Sequence, residues 1–188
     1  MDERIISDLI AYGRRGAYYK DWYARAECQI HYAADELRVS PSLLAGLLSA
    51  YSPRVQVHRS ILYAVHRATM GTHPRGAMST VQASVEFFEQ HGYLRGPKTE
   101  AFRRCLLGDQ RSVVLDVWMS VAMGLKQTAF SSTKNYIHYS GLVCAAADEL
   151  GVTPSQCQAM VWSGVIQSAG LRVSWLTFAD ILPSLWSK

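Results

Sequence analysis

Two stretches decide how this chain reads: His91-Gly92-Tyr93-Leu94-Arg95-Gly96-Pro97-Lys98-Thr99, and, further on, Val113-Val114-Leu115-Asp116-Val117-Trp118-Met119. A helical pattern from about Ser79 to Gln90 runs into the first, and a second from about Lys98 to Leu107 leaves it. Gly96-Pro97 is a helix-opening pair, because proline at the first helical position gives up an N–H that would be unpaired anyway. A glycine turn between two helices presents backbone N–H groups and a helix N-terminus outward, which holds a phosphate without reading base sequence. Arg95, Arg103 and Arg104 add positive charge there. In the second stretch an apolar run ends in Asp116, a residue type whose side chain accepts from the first free amides of a helix.

Helical periodicity extends outward from these stretches. Trp22, Ala26, Ile30, Ala33 and Leu37 recur at three-to-four spacing, as do Tyr136, Tyr139, Val143, Ala146 and Leu150. Ser40-Pro41 and Thr153-Pro154 each set a cap before a first-turn proline, and Thr153 with Gln156 makes a capping box. No segment alternates with the two-residue period of a half-buried strand, so an all-α protein of roughly eight to ten helices is expected. Ala34-Asp35-Glu36-Leu37-Arg38-Val39-Ser40-Pro41 is echoed by Ala147-Asp148-Glu149-Leu150-Gly151-Val152-Thr153-Pro154. Both encode a helix, a short turn and a capped helix. Thr69 to Ser79 reads as a loop joining two lobes, and the apolar tail from Ser174 to Lys188 as a short helix packed back on the body and ended by Pro183.

The 188 residues are 49% hydrophobic and 18% charged, the composition of an ordinary globular chain able to bury a core. Its longest nearly apolar run, Val113 to Leu125, is far shorter than the ~20 residues of a membrane span. The start Met1-Asp2-Glu3-Arg4 lacks a secretory layout, so a cytoplasmic monomer away from membranes is expected. Cys28, Cys105, Cys144 and Cys157 have no CxxC spacing and the six histidines form no ligand pair, so no metal is expected. Net charge is +4, but Arg54 to Arg111 alone carries +5, and 14 of the 19 basic residues are arginine. A basic central band of that kind points to nucleic acid, and a merely solvated basic face fits it equally well.

Lys98 and Asp116, with the hairpin glycine before them, resemble the signature of the helix-hairpin-helix DNA glycosylases, the superfamily of endonuclease III. Leu47-Leu48-Ser49-Ala50-Tyr51 resembles that family's Leu-Leu-Ser-Ala-Gln segment, whose last residue fills the gap left by an extruded base. The resemblance covers roughly Ser42 to Leu125 and implies two helical lobes flanking a DNA groove. By sequence these lobes would be 1–40 with 126–188, and 41–125. It implies that Asp116 is the catalytic carboxylate and Lys98 a possible Schiff-base amine. Tyr51 would be the wedge, Arg54, Arg95, Gly96, Pro97, Thr99 and Arg103 would contact double-stranded DNA, and a base pocket would draw on Tyr18, Tyr19, Trp22, Tyr23 and Trp118. The four-cysteine iron–sulfur cluster of endonuclease III has no counterpart here, so no cofactor is implied. Leu94 stands where the family hairpin has its first glycine, and Trp118 where it has a histidine. The implied activity is excision of a damaged or modified base, such as a hypermodified viral base, leaving an abasic site. A phage-type enzyme that elaborates DNA bases on the same scaffold, and a non-catalytic hairpin module, are the alternatives.

Overall fold

Helix starts in this chain are written in its caps. The Ser40 hydroxyl accepts from Leu43 N at 3.1 Å, the Ser132 hydroxyl from Asn135 N at 3.2 Å, and Thr153 with Gln156 closes the full capping box. Each satisfies amides that the first turn of a helix leaves open, worth about 1 kcal/mol apiece. The computed structural model describes residues 1–179 and 181–182. Among them it is all-α: α1 (Asp2–Arg15), α2 (Trp22–Leu37), α3 (Pro41–Tyr51), α4 (Val57–Met70), α5 (Ser79–His91), α6 (Pro97–Leu106), α7 (Val117–Ala122), α8 (Thr133–Leu150) and α9 (Pro154–Ser168). None of these helices is long and apolar enough to cross a membrane.

The echoed octets form the same corner. Val39 N donates to Ala34 O at 2.9 Å and Val152 N to Ala147 O at 3.1 Å, the six-to-one bond of a Schellman stop. The residue in the left-handed conformation is Arg38 (φ 56°) in the first corner and Gly151 (φ 66°) in the second. The shared sequence therefore encodes a shared helix stop and restart.

The chain divides into two compact units, Met1–Tyr23 with Gly108–Trp175, and Ala24–Leu107 with the C-terminal segment from Leu176. These boundaries differ from the lobes expected from sequence, and Asp116 falls with α1, α8 and α9 rather than with the hairpin. The first unit is built on α9, against which α1, α7 and α8 pack. Its core includes Leu9, Leu115, Met119, Tyr136, Val143, Val161 and Val165. A Cβ on Gly164 would collide with the Tyr12 carbonyl, and one on Gly16 with the Met160 carbonyl and Gly164 N. The Ser163 hydroxyl bonds to the Gly16 carbonyl at the same crossing, at 3.3 Å. Two glycines thus let the end of α1 touch the backbone of α9.

The second unit is centred on α3, whose residues Leu44 to Tyr51 are all buried, with α4, α5 and α6 packed around it. Each of its buried leucines contributes ~1.5–3 kcal/mol. Gly46 is the site where the Phe88 ring of α5 lies directly on the α3 backbone, since any Cβ there would overlap the ring. The tail packs back through buried Leu176, Phe178, Ile181 and Leu182, and Phe178 N donates to the Gln29 side chain at 3.2 Å. Residues 171–178 are not helical. Pro183, Leu185 and Trp186, and with them the expected helix end, lie outside the described residues.

Two alanine substitutions separate close approach from helix propensity. Gly164→Ala should destabilise the protein by at least about 2 kcal/mol, because backbone rather than a movable side chain meets the new methyl. Gly141→Ala, on an exposed turn of α8 with nothing within 4 Å, should stabilise it by about 0.5–1 kcal/mol. Chemical denaturation of the two variants measures both signs.

Candidate functional site

Asp116 is delivered by a buried extended segment. Val113, Val114 and Leu115 are each at most 5% exposed, and a buried segment with no neighbouring strand among the described residues must find other partners for its backbone. Tyr136 of α8 supplies them: its hydroxyl donates to the Val113 carbonyl at 2.8 Å and accepts from Leu115 N at 3.1 Å. The next residue, Asp116, caps α7, with Oδ1 accepting from Trp118 N and Met119 N, both at 3.0 Å. Its Oδ2 accepts the indole N–H of Trp162, on α9, at 3.2 Å. These donors, from two helices, hold a half-buried carboxylate in one orientation.

Aromatic rings continue from that indole. Trp162 meets Trp22 edge-on at 5.9 Å, and Trp22 meets Tyr23 at 5.1 Å. The Tyr23 hydroxyl donates to Gln158 Oε1 at 2.7 Å, and Trp22 Nε1 donates to the Ser174 carbonyl at 3.0 Å. Gln158 is 3% exposed and stands one helical turn before Trp162 on α9. Tyr18, Tyr19 and Trp175 form a second cluster, with Tyr18 72% exposed. Of the pocket candidates read from sequence, Trp22 joins the Asp116 cluster through Trp162 and Tyr23 through Trp22. Trp118 packs against the core of the unit, and Tyr18 and Tyr19 lie in the second cluster. Trp162 and Gln158 were not anticipated. Their one-turn spacing is visible in the sequence, but nothing local ties them to Asp116.

In the second unit the hairpin exists with its own chemistry. Gly92 ends α5 in the left-handed conformation (φ 77°), and Gly96 precedes α6 with Pro97 at its first position. Leu94, the departure from the family glycine, is buried, and its N–H donates to Glu100 Oε2 at 2.9 Å. Burial works to raise the Glu100 carboxyl, but the Arg103 fork, the Leu94 amide and Arg104 outweigh it and hold the group below the usual carboxylate range. Arg103 grips Glu100 through Nε and Nη2 at 2.9 and 2.7 Å. The expectation of Arg103 as a phosphate contact is corrected accordingly: it braces the hairpin from inside. The N–H groups of Gly96, Lys98 and Thr99 have no partner among the described residues, while the Thr99 hydroxyl donates to the Gly96 carbonyl at 3.0 Å. Arg95 is exposed and lies 3.9 Å over the Phe87 ring, whose other neighbours are His91, stacked at 4.0 Å, and Tyr93. Arg54 is exposed at φ 60°, and Lys98 is partly exposed.

Tyr51 is the clearest correction. The residue expected to enter DNA as a wedge is 1% exposed and belongs to the core of the second unit. Its hydroxyl is 2.9 Å from His73 Nδ1, and His73 Nε2 is 3.2 Å from Glu86 Oε1. Tyr63 packs edge-on against the same ring at 5.6 Å, so the side chain is held in the core rather than presented to solvent. Burial pushes the Tyr51 phenol up to about 12. A folded value above the ordinary ~10 means its contribution is intact below about pH 10 and is lost as pH rises through about 12. Wild-type protein should therefore lose stability across that window more steeply than Tyr51→Phe, as denaturation midpoints at stepped pH would record.

Neither curated proteins nor solved structures provide a match to the chain. A family described only as of unknown function, DUF7178, matches residues 13–169, a span that includes Asp116, the hairpin and all of α9. With most of its length inside that match, this chain is a member of the DUF7178 family.

Proposed function

We propose that the protein is a DNA N-glycosylase of helix-hairpin-helix type that removes a damaged or modified base turned out of the duplex. The observation that carries the reading is the carboxylate of Asp116, partly exposed and held by two backbone amides and an indole N–H. Breaking the bond between C1′ and the base nitrogen leaves the electron pair on the base and positive charge on the sugar. A fixed carboxylate beside that carbon stabilises the charge. Water then adds its oxygen to C1′, one of its protons passing to the carboxylate or solvent, and the departing base is protonated. The motif order along the chain and the open amides of Gly96, Lys98 and Thr99 support the same reading, since such a hairpin suits a DNA phosphate. Arg95 and Arg54 are the exposed cations that would accompany it.

A second reading, a DNA-binding module without chemistry, has one observation in its favour: capping α7 is by itself a sufficient role for Asp116. Asp116→Asn separates the two. On the glycosylase reading it keeps DNA affinity and lowers base release at least ~100-fold, as followed by mass spectrometry on DNAs carrying different modified bases. Base release at the wild-type rate would remove Asp116 from the mechanism, and its absence from every DNA offered to the wild-type chain would favour the module.

Lys98 decides between water and an amine as the attacking group. If its Nζ attacks C1′, the base leaves with the bonding pair and the sugar ring opens to a Schiff base. Borohydride added during turnover should then join protein to DNA covalently, and Lys98→Ala should abolish the adduct. If Lys98 only contacts phosphate, no adduct forms, base release persists, and Lys98→Ala weakens DNA binding alike across sequences and lessens its salt dependence.

A further inference from the structure

Asp116 performs two tasks with two oxygens. Its Oδ1 is committed to the amides of Trp118 and Met119, so the direction in which Oδ2 points depends on what holds the far side of the carboxylate. Trp162 Nε1 reaches Oδ2 from a different helix, at 3.2 Å. That indole is not free to move. It packs edge-on against Trp22, which is itself 4% exposed and anchored through its own N–H to the Ser174 carbonyl. One turn earlier on the same helix, Gln158 is tied to Tyr23, the residue after Trp22. The donor is thus held by a packed aromatic chain, whereas a solvent-exposed donor would swing away.

We infer that Trp162 is a positioning residue for Asp116: its indole N–H fixes the direction of Oδ2 on the carboxylate that faces the reacting sugar. The inference rests on the glycosylase reading above. A carboxylate that loses the indole keeps its cap through Oδ1 but can pivot about those two hydrogen bonds, and charge aimed a fraction of an ångström away stabilises the transition state less. A positioning donor affects the chemical step more than the binding of DNA, because the duplex is held through other residues.

A double-mutant cycle on single-turnover base release tests it. Trp162→Phe, which keeps an aromatic ring and removes the donor, should lower the rate about 10-fold in the wild-type background with DNA affinity unchanged. In the Asp116→Asn background it should change the rate by less than about 2-fold, since the charge it would orient is gone. The same loss in both backgrounds, or no loss in either, overturns the inference and leaves the glycosylase reading standing. No base release by the wild-type chain overturns that reading itself. Heteronuclear NMR supplies a readout independent of activity and of how the Trp162→Phe variant folds. The Trp162 indole N–H resonance should shift in Asp116→Ala, and an unmoved resonance refutes the hydrogen bond in solution.

Discussion

The contact between Gly16 and Gly164 governs the first unit. A side chain at either position would strike backbone, so only glycine lets the end of α1 settle on α9 at this distance. The turn that follows α1 then carries Tyr19, Trp22 and Tyr23 across the same helix, where Tyr23 finds Gln158 and Trp22 finds Trp162. Trp162 in turn finds Asp116. A steric requirement met by two missing methyl groups thus propagates, through rings packed edge to edge, to the orientation of one carboxylate.

The second constraint on Asp116 is electrostatic and local. An extended segment buried without a sheet needs its peptide groups satisfied, and a single hydroxyl, Tyr136, serves both a carbonyl and an amide two residues apart. The segment cannot slide along α8 without losing both bonds. Backbone position is set by Tyr136, carboxylate plane by the cap, and direction by the indole. This over-determination is what a pre-organised charge requires, and the cap also stabilises the start of α7, a helix of 6 residues.

The hairpin follows a different logic. A buried leucine stands at the glycine position of the family hairpin, and its amide is given to Glu100 instead of being open to a phosphate. Arg103 and Arg104 are spent neutralising that carboxylate. Outward, among the described residues, the hairpin offers three open amides, the partly exposed Lys98, an arginine resting on a phenylalanine ring, and the side chain of Arg104, which is 57% exposed. The pairs of Arg103 and Arg104 with Glu100 and of Arg67 with Glu89 are already cancelled in the +5 of the segment from Arg54 to Arg111; what they decide is where the remaining positive charge sits, away from those arginines.

Local features were legible in the residues themselves. Caps at Ser40, Thr153 and Asp116, the helix-turn-helix shared by the two echoed octets, and the helical class all follow from side-chain chemistry acting within a few residues, which tertiary context seldom reverses. The hairpin helices appeared within a residue or two of their expected limits for the same reason. Tyr51 misled because an aromatic at a helix end has the same sequence whether it caps a core or protrudes from it. Only the helices packed around α3 decide that it is buried. Trp162 was silent because a hydrogen bond spanning 46 residues leaves no periodicity behind. The chain by itself determined where helices begin and end and which residue carries the carboxylate after the apolar rise. The tertiary structure alone decided that the indole of Trp162 meets that carboxylate and that Arg67 meets Glu89, because those depend on distances between segments that no local rule constrains.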